Sequence, residues 1–344
     1  MDLQTLSFPL LCSGLLFFTF WLLSLKLNNA GIVDVIWGLS FVVLAWASAW
    51  QLDSLNIEQV LLLMMVTTWG TRLGVHIGLR NLGKPEDYRY QNIRKRLSPG
   101  FAFKSLVYVF GLQFVLSAVI ASPIFWVFSK QYSADVPSTW AVLAMIIWTI
   151  GFYFEVAGDY QLQQFKKKPE NKGQLLTTGL WSLTRHPNYF GDGLLWWGFY
   201  CMALPSHGYI TIVGPIIMNL FLRRVSGVDL LEKRLKKVKP GFEDYMKSTP
   251  AFVPSFRKLL SRSTGPSDNE DFLRLIQLAK EDEDLKSWLV SLAEMEDFDR
   301  HSVIQGKVDE LNLKEAPQEH IHIFKCLMEQ KIIEKLRGIL KSSS

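Results

Sequence analysis

The sequence predicts an all-α protein: a polytopic transmembrane helical bundle of about seven spans, with a small soluble helical appendage at its C-terminal end. Three observations point there. Apolar residues gather in blocks such as Leu10 to Leu25 and Ile32 to Trp50, with almost no charge inside. A soluble amphipathic helix would interrupt such blocks with polar residues, whereas a helix in lipid is apolar around its whole circumference. Charge is divided along the chain: Leu260 to Ser344 holds 12 Lys+Arg against 17 Asp+Glu, and the residues before it hold 25 against 15. Finally, the segments between blocks alternate between strongly basic and nearly neutral.

The spans are expected near Leu6–Leu25, Gly31–Trp50, Val60–Ile77, Leu106–Phe128, Trp140–Ala157, Tyr189–Leu204 and Tyr209–Leu222. Most reach the roughly 20 residues that cross a bilayer. The last two are short and joined by Pro205-Ser206-His207-Gly208, a helical hairpin that only just spans. One set of connections carries Lys26, then Arg80, Lys84, Arg89, Arg94, Lys95 and Arg96, then Lys166, Lys167, Lys168 and Lys172, then Arg223 and Arg224. The alternate set carries Asp53, Glu58, Lys130, Asp135 and His207. The basic set belongs in the cytoplasm, which sets the N-terminus outside and the C-terminus inside. Met1-Asp2-Leu3-Gln4 lacks the basic start of a secretory signal, so the first block is expected as a retained helix. The expected location is a bacterial inner membrane.

A membrane domain is expected over 1–257, a linker over 258–268 and a soluble helical module over 269–344. The linker rests on Ser261-Arg262-Ser263-Thr264-Gly265-Pro266-Ser267. Beyond it, Phe272–Ala279, Leu285–Met295 and Ile321–Leu340 show helical apolar spacing with charged opposite faces. Such a module reads as an interaction or regulatory appendage with a protein partner. It has no aromatic-basic stripe, and the basic residues elsewhere border apolar spans, so they suit membrane lipids rather than nucleic acid. Cys12, Cys201 and Cys326 are far apart, with no CxxC and no neighbouring His pair. Neither a disulfide framework nor a metal site is expected.

The segment richest in chemistry runs Gly179-Leu180-Trp181-Ser182-Leu183-Thr184-Arg185-His186-Pro187-Asn188-Tyr189-Phe190-Gly191-Asp192. It places a cation, an imidazole, an amide, a phenol and a carboxylate just before an apolar span. Pro187 suits the first turn of a helix, where its missing N–H would be unpaired anyway. Asn188, Tyr189 and Asp192 then fall on neighbouring turns of one face. Gly191 leaves room for a large group to approach the backbone. Polar groups at this depth are costly unless they line a cavity or bind a ligand.

This segment resembles the RHPNYxGD/E signature of membrane reductases related to steroid 5α-reductase and sterol C14 reductase. It is most similar to their uncharacterised bacterial branch, described as 3-oxo-5α-steroid 4-dehydrogenase-like. Val33-Asp34-Val35-Ile36-Trp37-Gly38 looks like that branch's VDxxWG, and Gly83-Lys84-Pro85-Glu86-Asp87-Tyr88-Arg89-Tyr90 like its GxxEDxRY loop. Phe154-Glu155 through Asp159, Gln161 and Phe165 looks like a further run of the branch. Leu231-Glu232-Lys233-Arg234 and Gly241-Phe242-Glu243-Asp244-Tyr245 through Phe252-Val253-Pro254 look like its closing segment. The resemblance covers roughly Ile32 to Phe256 and not the C-terminal tail.

The resemblance implies NADPH as hydride donor and an electron-poor C=C bond, usually an enone, as acceptor in a hydrophobic steroid-like or isoprenoid lipid substrate. Phosphates of such a cofactor suit Arg and Lys clamps, for which Arg80, Arg89, Lys168 and Arg185 are the candidates. By the same resemblance, His186, Asn188, Tyr189, Gly191, Asp192 and Tyr245 belong to the cofactor site. No GxGxxG follows a strand, so the cofactor is expected in a cavity among helices. Hydride transfer to an enone also needs a proton donor and a dry pocket. Asp34, His76 and Glu155, all inside spans, are the catalytic candidates. Asp34 could instead cap its helix or pair with Arg72, and Glu155 could pair with a neighbouring cation. Steroid 5α-reductases carry His-Tyr-x-x-Arg at the end of the third span. Here the stretch reads His76-Ile77-Gly78-Leu79-Arg80, and Ile77 offers no hydroxyl for a steroid ketone. The alternative is an S-adenosylmethionine-dependent membrane methyltransferase of the isoprenylcysteine carboxyl methyltransferase type, which shares a similar RHPxYxG segment. A non-catalytic lipid-binding scaffold is a third reading. The tryptophans near span ends, Trp50, Trp140, Trp181, Trp196 and Trp197, are expected in an interfacial belt.

Overall fold

A computed structural model describes residues 3–130, 136–225, 228–239, 241–255 and 268–314, and 321, 324, 326–328 and 330–342 near the end of the chain. Among these residues the regular structure is entirely helical. The chain forms two compact units, Met1–Ser255 and Phe256–Ser344.

The first unit opens with α1 (Leu3–Leu27), α2 (Val33–Ala49) and α3 (Ile57–Asn81). A short helix, α4 (Tyr88–Leu97), precedes α5 (Phe101–Ser105), which runs through a π turn into α6 (Leu112–Ile120). Then come α7 (Ser122–Phe128), the long α8 (Thr139–Lys167), α9 (Pro187–Ala203), α10 (Val213–Leu220), α11 (Val228–Val238) and α12 (Phe242–Ser248). Five stretches are long and apolar enough to cross a membrane: Gln4–Leu27, Ala30–Ala49, Ile57–Asn81, Phe101–Ile120 and Thr139–Lys167. Their outer faces leave Leu11, Leu15, Met64, Val107 and Ile146 exposed, as lipid contact requires.

One expectation needs correction. The span expected at Leu106–Phe128 starts earlier, at Phe101, and breaks at Ala121. Pro123 lacks the N–H that would continue the helix, so α7 starts afresh there. Of the last two expected spans, α9 has only 17 residues, and α10 is 8 residues between a 3-10 turn and a π turn. With the flanking turns the two helical runs cover Pro187–Ser206 and Tyr209–Val225, the short hairpin expected of them.

The helices approach closely through glycine. On α9, a Cβ at Gly191 would lie 2.4 Å from the Glu155 nitrogen and the Gly151 oxygen of α8. On α2, a Cβ at Gly38 would lie 2.6 Å from the Gly70 oxygen of α3. Small residues let helix backbones meet where lipid supplies no hydrophobic drive between them. Between these seams sits an aromatic core in which Trp69, Trp196, Phe41 and Phe199 pack edge to face. Trp196 is fully buried there, not in an interfacial belt, and Trp181 is also buried. Trp50 and Trp140 are exposed at helix ends.

Polar side chains finish the end of the bundle where α3 and α8 begin. Asn56 and Gln59 form a reciprocal cap on α3, and Ser138 caps α8. The Gln59 amide donates to the Val127 and Lys130 carbonyls, and Glu58 accepts from the Ser138 N–H at 2.9 Å.

The second unit contains α13 (Asp268–Glu281), α14 (Glu283–Glu294), α15 (Asp297–Leu313) and α16 (Gln330–Ser342) around its own core, which includes Leu275, Leu292, Ile304 and Ile333. Helix α15 was not anticipated, because its charges are scattered around the circumference rather than confined to one face. Of the helix expected over Ile321–Leu340, Ile321 and Phe324 are helical, Cys326–Met328 is a 3-10 turn and α16 runs from Gln330; residues 322, 323, 325 and 329 lie outside the described residues. Residues 258–267 of the expected linker lie outside the described residues.

The α8–α9 seam yields a first prediction. Gly191→Ala should lower the thermal midpoint of the purified protein, costing about 1–3 kcal/mol by overpacking against backbone. Gly306→Ala, where a Cβ meets nothing, is the control and should not.

Candidate functional site

The helical repeat sets Arg72, His76 and Arg80 on one face of α3, and Glu155 and Asp159 on the facing side of α8. The Arg72 guanidinium bridges both carboxylates, at 2.6 Å to Glu155 Oε1 and 2.7 Å to Asp159 Oδ2. His76 Nε2 lies 3.4 Å from the same Asp159 oxygen. From the first turn of α9, Asn188 Nδ2 donates to Asp159 Oδ1 at 2.9 Å. Asp192, one turn deeper on α9, acts electrostatically on Glu155 and Arg72. Three helices thus place three carboxyl groups, one guanidinium, one imidazole and one amide in a common seam.

Acceptors in the seam are left over. Glu155 Oε2 and Asn188 Oδ1 are buried and have no hydrogen-bond partner, and the Asp192 carboxyl faces the Trp69 indole N–H. Buried oxygen atoms are normally paired, and unpaired ones mark a place where a ligand or water donates. At the other end of the seam the sign reverses. Arg80, Lys84, Lys166 and Lys239 lie close enough for their charges to act on one another. Like charges gathered in this way favour an anion between them. The seam is therefore bipolar: cations at its mouth, unpaired acceptors at its depth. Tyr189 stands near both, its hydroxyl feeling Arg80 and Arg89 as well as Asp159 and Asp192.

Other expected site residues lie outside the Arg72 network, although Arg89 is near enough to act on Tyr189. Asp34 is held by Arg89, at 2.8 Å, and by the Tyr90 hydroxyl. It does not pair with Arg72. Arg89 also holds Asp87 at 3.0 Å, which ties this guanidinium to the start of α2 and to its own loop. Burial, and then the Asp34 carboxylate, push the Tyr90 phenol well above its ordinary range. Next to this group, Glu86 accepts from the Ala30 N–H and pairs with Arg94 at 2.8 Å, so the loop before α4 is fastened to the start of α2.

Arg185 and His186 form a third cluster. Arg185 grips Glu232 of α11 with two hydrogen bonds, 2.8 and 3.0 Å, and donates to the Met246 and Thr249 carbonyls. His186 Nε2 lies 3.0 Å from Glu232 Oε1. The Tyr245 hydroxyl donates to the Trp181 carbonyl. These residues staple the entry to α9 onto the closing segment. Gly191 faces the α8 backbone, so the large group that approaches it is a helix. Lys168 lies across α8 from the seam, in a separate groove.

Sequence reasoning placed Asn188, Asp192, Glu155, His76 and Arg80 in one site, and the seam gathers them. It undervalued Arg72, Asp159 and Glu232. A usable signal existed: an arginine inside an apolar span demands a partner, and Glu155 and Asp159 repeat the four-residue step of Arg72 and His76.

A family model matches residues 20–249. The chain belongs to the DUF1295 family, whose members are described as proteins of unknown function. A probable O-methyltransferase, ustE of Ustilaginoidea virens, is 38% identical over 61 residues. That stretch is 18% of this chain and 22% of the relative, so the chain spans about a fifth of the relative's length. No solved structure matches.

The Arg185 staple predicts a pH window. Burial alone would raise the Glu232 carboxyl, but hydrogen bonds from His186 and Arg185, with the Arg185 charge, bring it down to about 2 from an ordinary 4.5. A carboxylate lower in the folded than in the unfolded chain stabilises fully above about 4.5, and that stabilisation is lost as pH falls toward 2. Glu232→Gln should therefore destabilise the protein at pH 7 by on the order of 3 kcal/mol, and the gap to wild type should close as the buffer is acidified through that window.

Proposed function

We propose that the chain is a membrane-embedded, NADPH-dependent reductase of an electron-poor C=C bond in a hydrophobic enone, working in the α3–α8–α9 seam. The observation that carries this reading is the bipolar order of the seam. A dinucleotide with phosphates at one end and a carboxamide at the other matches cations at a mouth and unpaired acceptors at depth. Arg80, Lys84 and Lys166 are suited to hold phosphate at the cytoplasmic mouth. Asn188 Oδ1 and Asp192 Oδ1 are suited to accept from a carboxamide N–H. When bound, NADPH supplies the hydride.

The chain's own residues then have two tasks. Trp69, Trp196 and Phe199 keep the floor of the seam dry, which strengthens each polar contact above it. Glu155 keeps one oxygen free of protein partners, Asp192 faces the Trp69 indole N–H, and either carboxyl can hold the proton that the acceptor needs. His76 reaches Asp159 from the side of the mouth and links this depth to solvent protons. Ile77 leaves no hydroxyl to grip a steroid ketone, so an isoprenoid or other lipid enone suits the site better.

A second reading has an observation of its own. The match to a probable O-methyltransferase favours methyl transfer from S-adenosylmethionine, and a sulfonium would sit well beside Glu155, Asp159 and Asp192. The cationic mouth favours the dinucleotide, since S-adenosylmethionine offers one carboxylate and no phosphate.

Isothermal titration of the detergent-purified protein separates the two. The reductase reading predicts micromolar NADPH binding, weakened at least tenfold by Asn188→Ala and falling steeply with added salt. Binding of S-adenosylmethionine without NADPH would sink it and establish methyl transfer as the better account.

A further inference from the structure

We infer that the groove behind the end of α8 is a binding site for one anionic phospholipid, separate from the seam. The chain after α8 folds back on it: Asn171 Nδ2 donates to the Phe165 carbonyl, the Leu180 N–H to Gln161 Oε1, and the Trp181 indole to the Gly158 carbonyl. This return leaves a groove of about 380 Å³ lined by Tyr160, Gln164, Phe165, Lys168, Leu176 and Thr178, among others. Tyr160, Gln164 and Lys168 follow at four-residue steps on the side of α8 turned away from Glu155 and Asp159.

Three features select the occupant. The first is depth. A helix of 29 residues is about 43 Å long, against a hydrocarbon core of about 30 Å. With Trp140 anchored at one interface, the last two turns of α8 emerge among the headgroups on the other side. The second is an acyl track. Ile146, Ile150, Tyr153 and Tyr160 are exposed along that same outer side of α8, so the groove runs on into an apolar stripe facing the hydrocarbon. The third is charge. Lys168 is the charged residue of the lining and no carboxylate joins it; within four residues of it in sequence, Lys166, Lys167 and Lys172 outnumber Glu170. A phosphate headgroup on Lys168 with an acyl chain along the stripe satisfies all three; a free anion would leave the apolar stripe unused.

Native mass spectrometry of the full-length protein, released from micelles containing equal phosphatidylglycerol and phosphatidylcholine, reads the site directly. The proposal predicts retention of one phosphatidylglycerol. Lys168→Glu should reduce that occupancy about fivefold or more, the factor that corresponds to about 1 kcal/mol per surface cation. Leu176→Trp, which fills the groove without changing charge, should do the same, while Lys104→Glu, an exposed lysine on α5, should not. Equal retention of the two lipids, equal loss in Lys104→Glu, or displacement of the lipid by millimolar inorganic phosphate would each overturn it. Thermal midpoints near wild type identify the variants whose occupancies count.

Discussion

The ion pairs of Arg72 with Glu155 and Asp159 organise the membrane unit. They join α3 to α8 inside a segment where neither charge could stand alone, since an unpaired ion at this depth is expensive. Once Asp159 is held, its second oxygen receives Asn188, which brings in the first turn of α9. Glycine then closes the gap, with Gly191 seated on the backbone between Gly151 and Glu155. The polar latch sets the register, and the small residues permit the approach that the latch demands. Removal of either element would leave the other without a function.

The same latch explains why the seam can act on a ligand. Arg72 occupies one oxygen of each neighbouring carboxylate and leaves Glu155 Oε2 unpaired, and the amide oxygen of Asn188 is likewise open. A fully satisfied network would be only structural. The Asp34–Arg89–Tyr90 and Arg185–Glu232–His186 clusters contrast with it. Each ties a loop to a helix end, through Arg89 on Asp34 and Arg185 on Glu232. Unpaired buried atoms remain in two of the three clusters: the acceptors of the seam and Nδ1 of His186.

Fold class was legible because lipid removes the ambiguity of apolar periodicity: blocks such as Leu10 to Leu25 have no polar face to hide. The break before Pro123 was less legible, since hydropathy averages over the turns that interrupt a helix. In the site, Asn188 and Asp192 were readable from their motif, and His76 and Arg80 from the resemblance to the His-Tyr-x-x-Arg pattern. The contacts of Arg185, His186 and Tyr245 were not. A cation beside a motif reads as a ligand clamp, and only the arrival of Glu232 from α11, 47 residues later, shows that it is gripped by protein. Long-range partners of this kind leave no local trace. Helix α15, of 17 residues, was missed for a different reason: its apolar residues lack a clean face.

The central claim is that the Arg72 latch holds the seam and keeps its acceptors open. The most direct test is the thermal midpoint of Arg72→Leu against the triple variant Arg72→Leu/Glu155→Leu/Asp159→Leu. Breaking a buried pair from one side costs about 3–5 kcal/mol, while replacing all its members with apolar groups can be nearly neutral. The account predicts a large drop for the single variant and substantial recovery in the triple variant. A single variant as stable as wild type would contradict it.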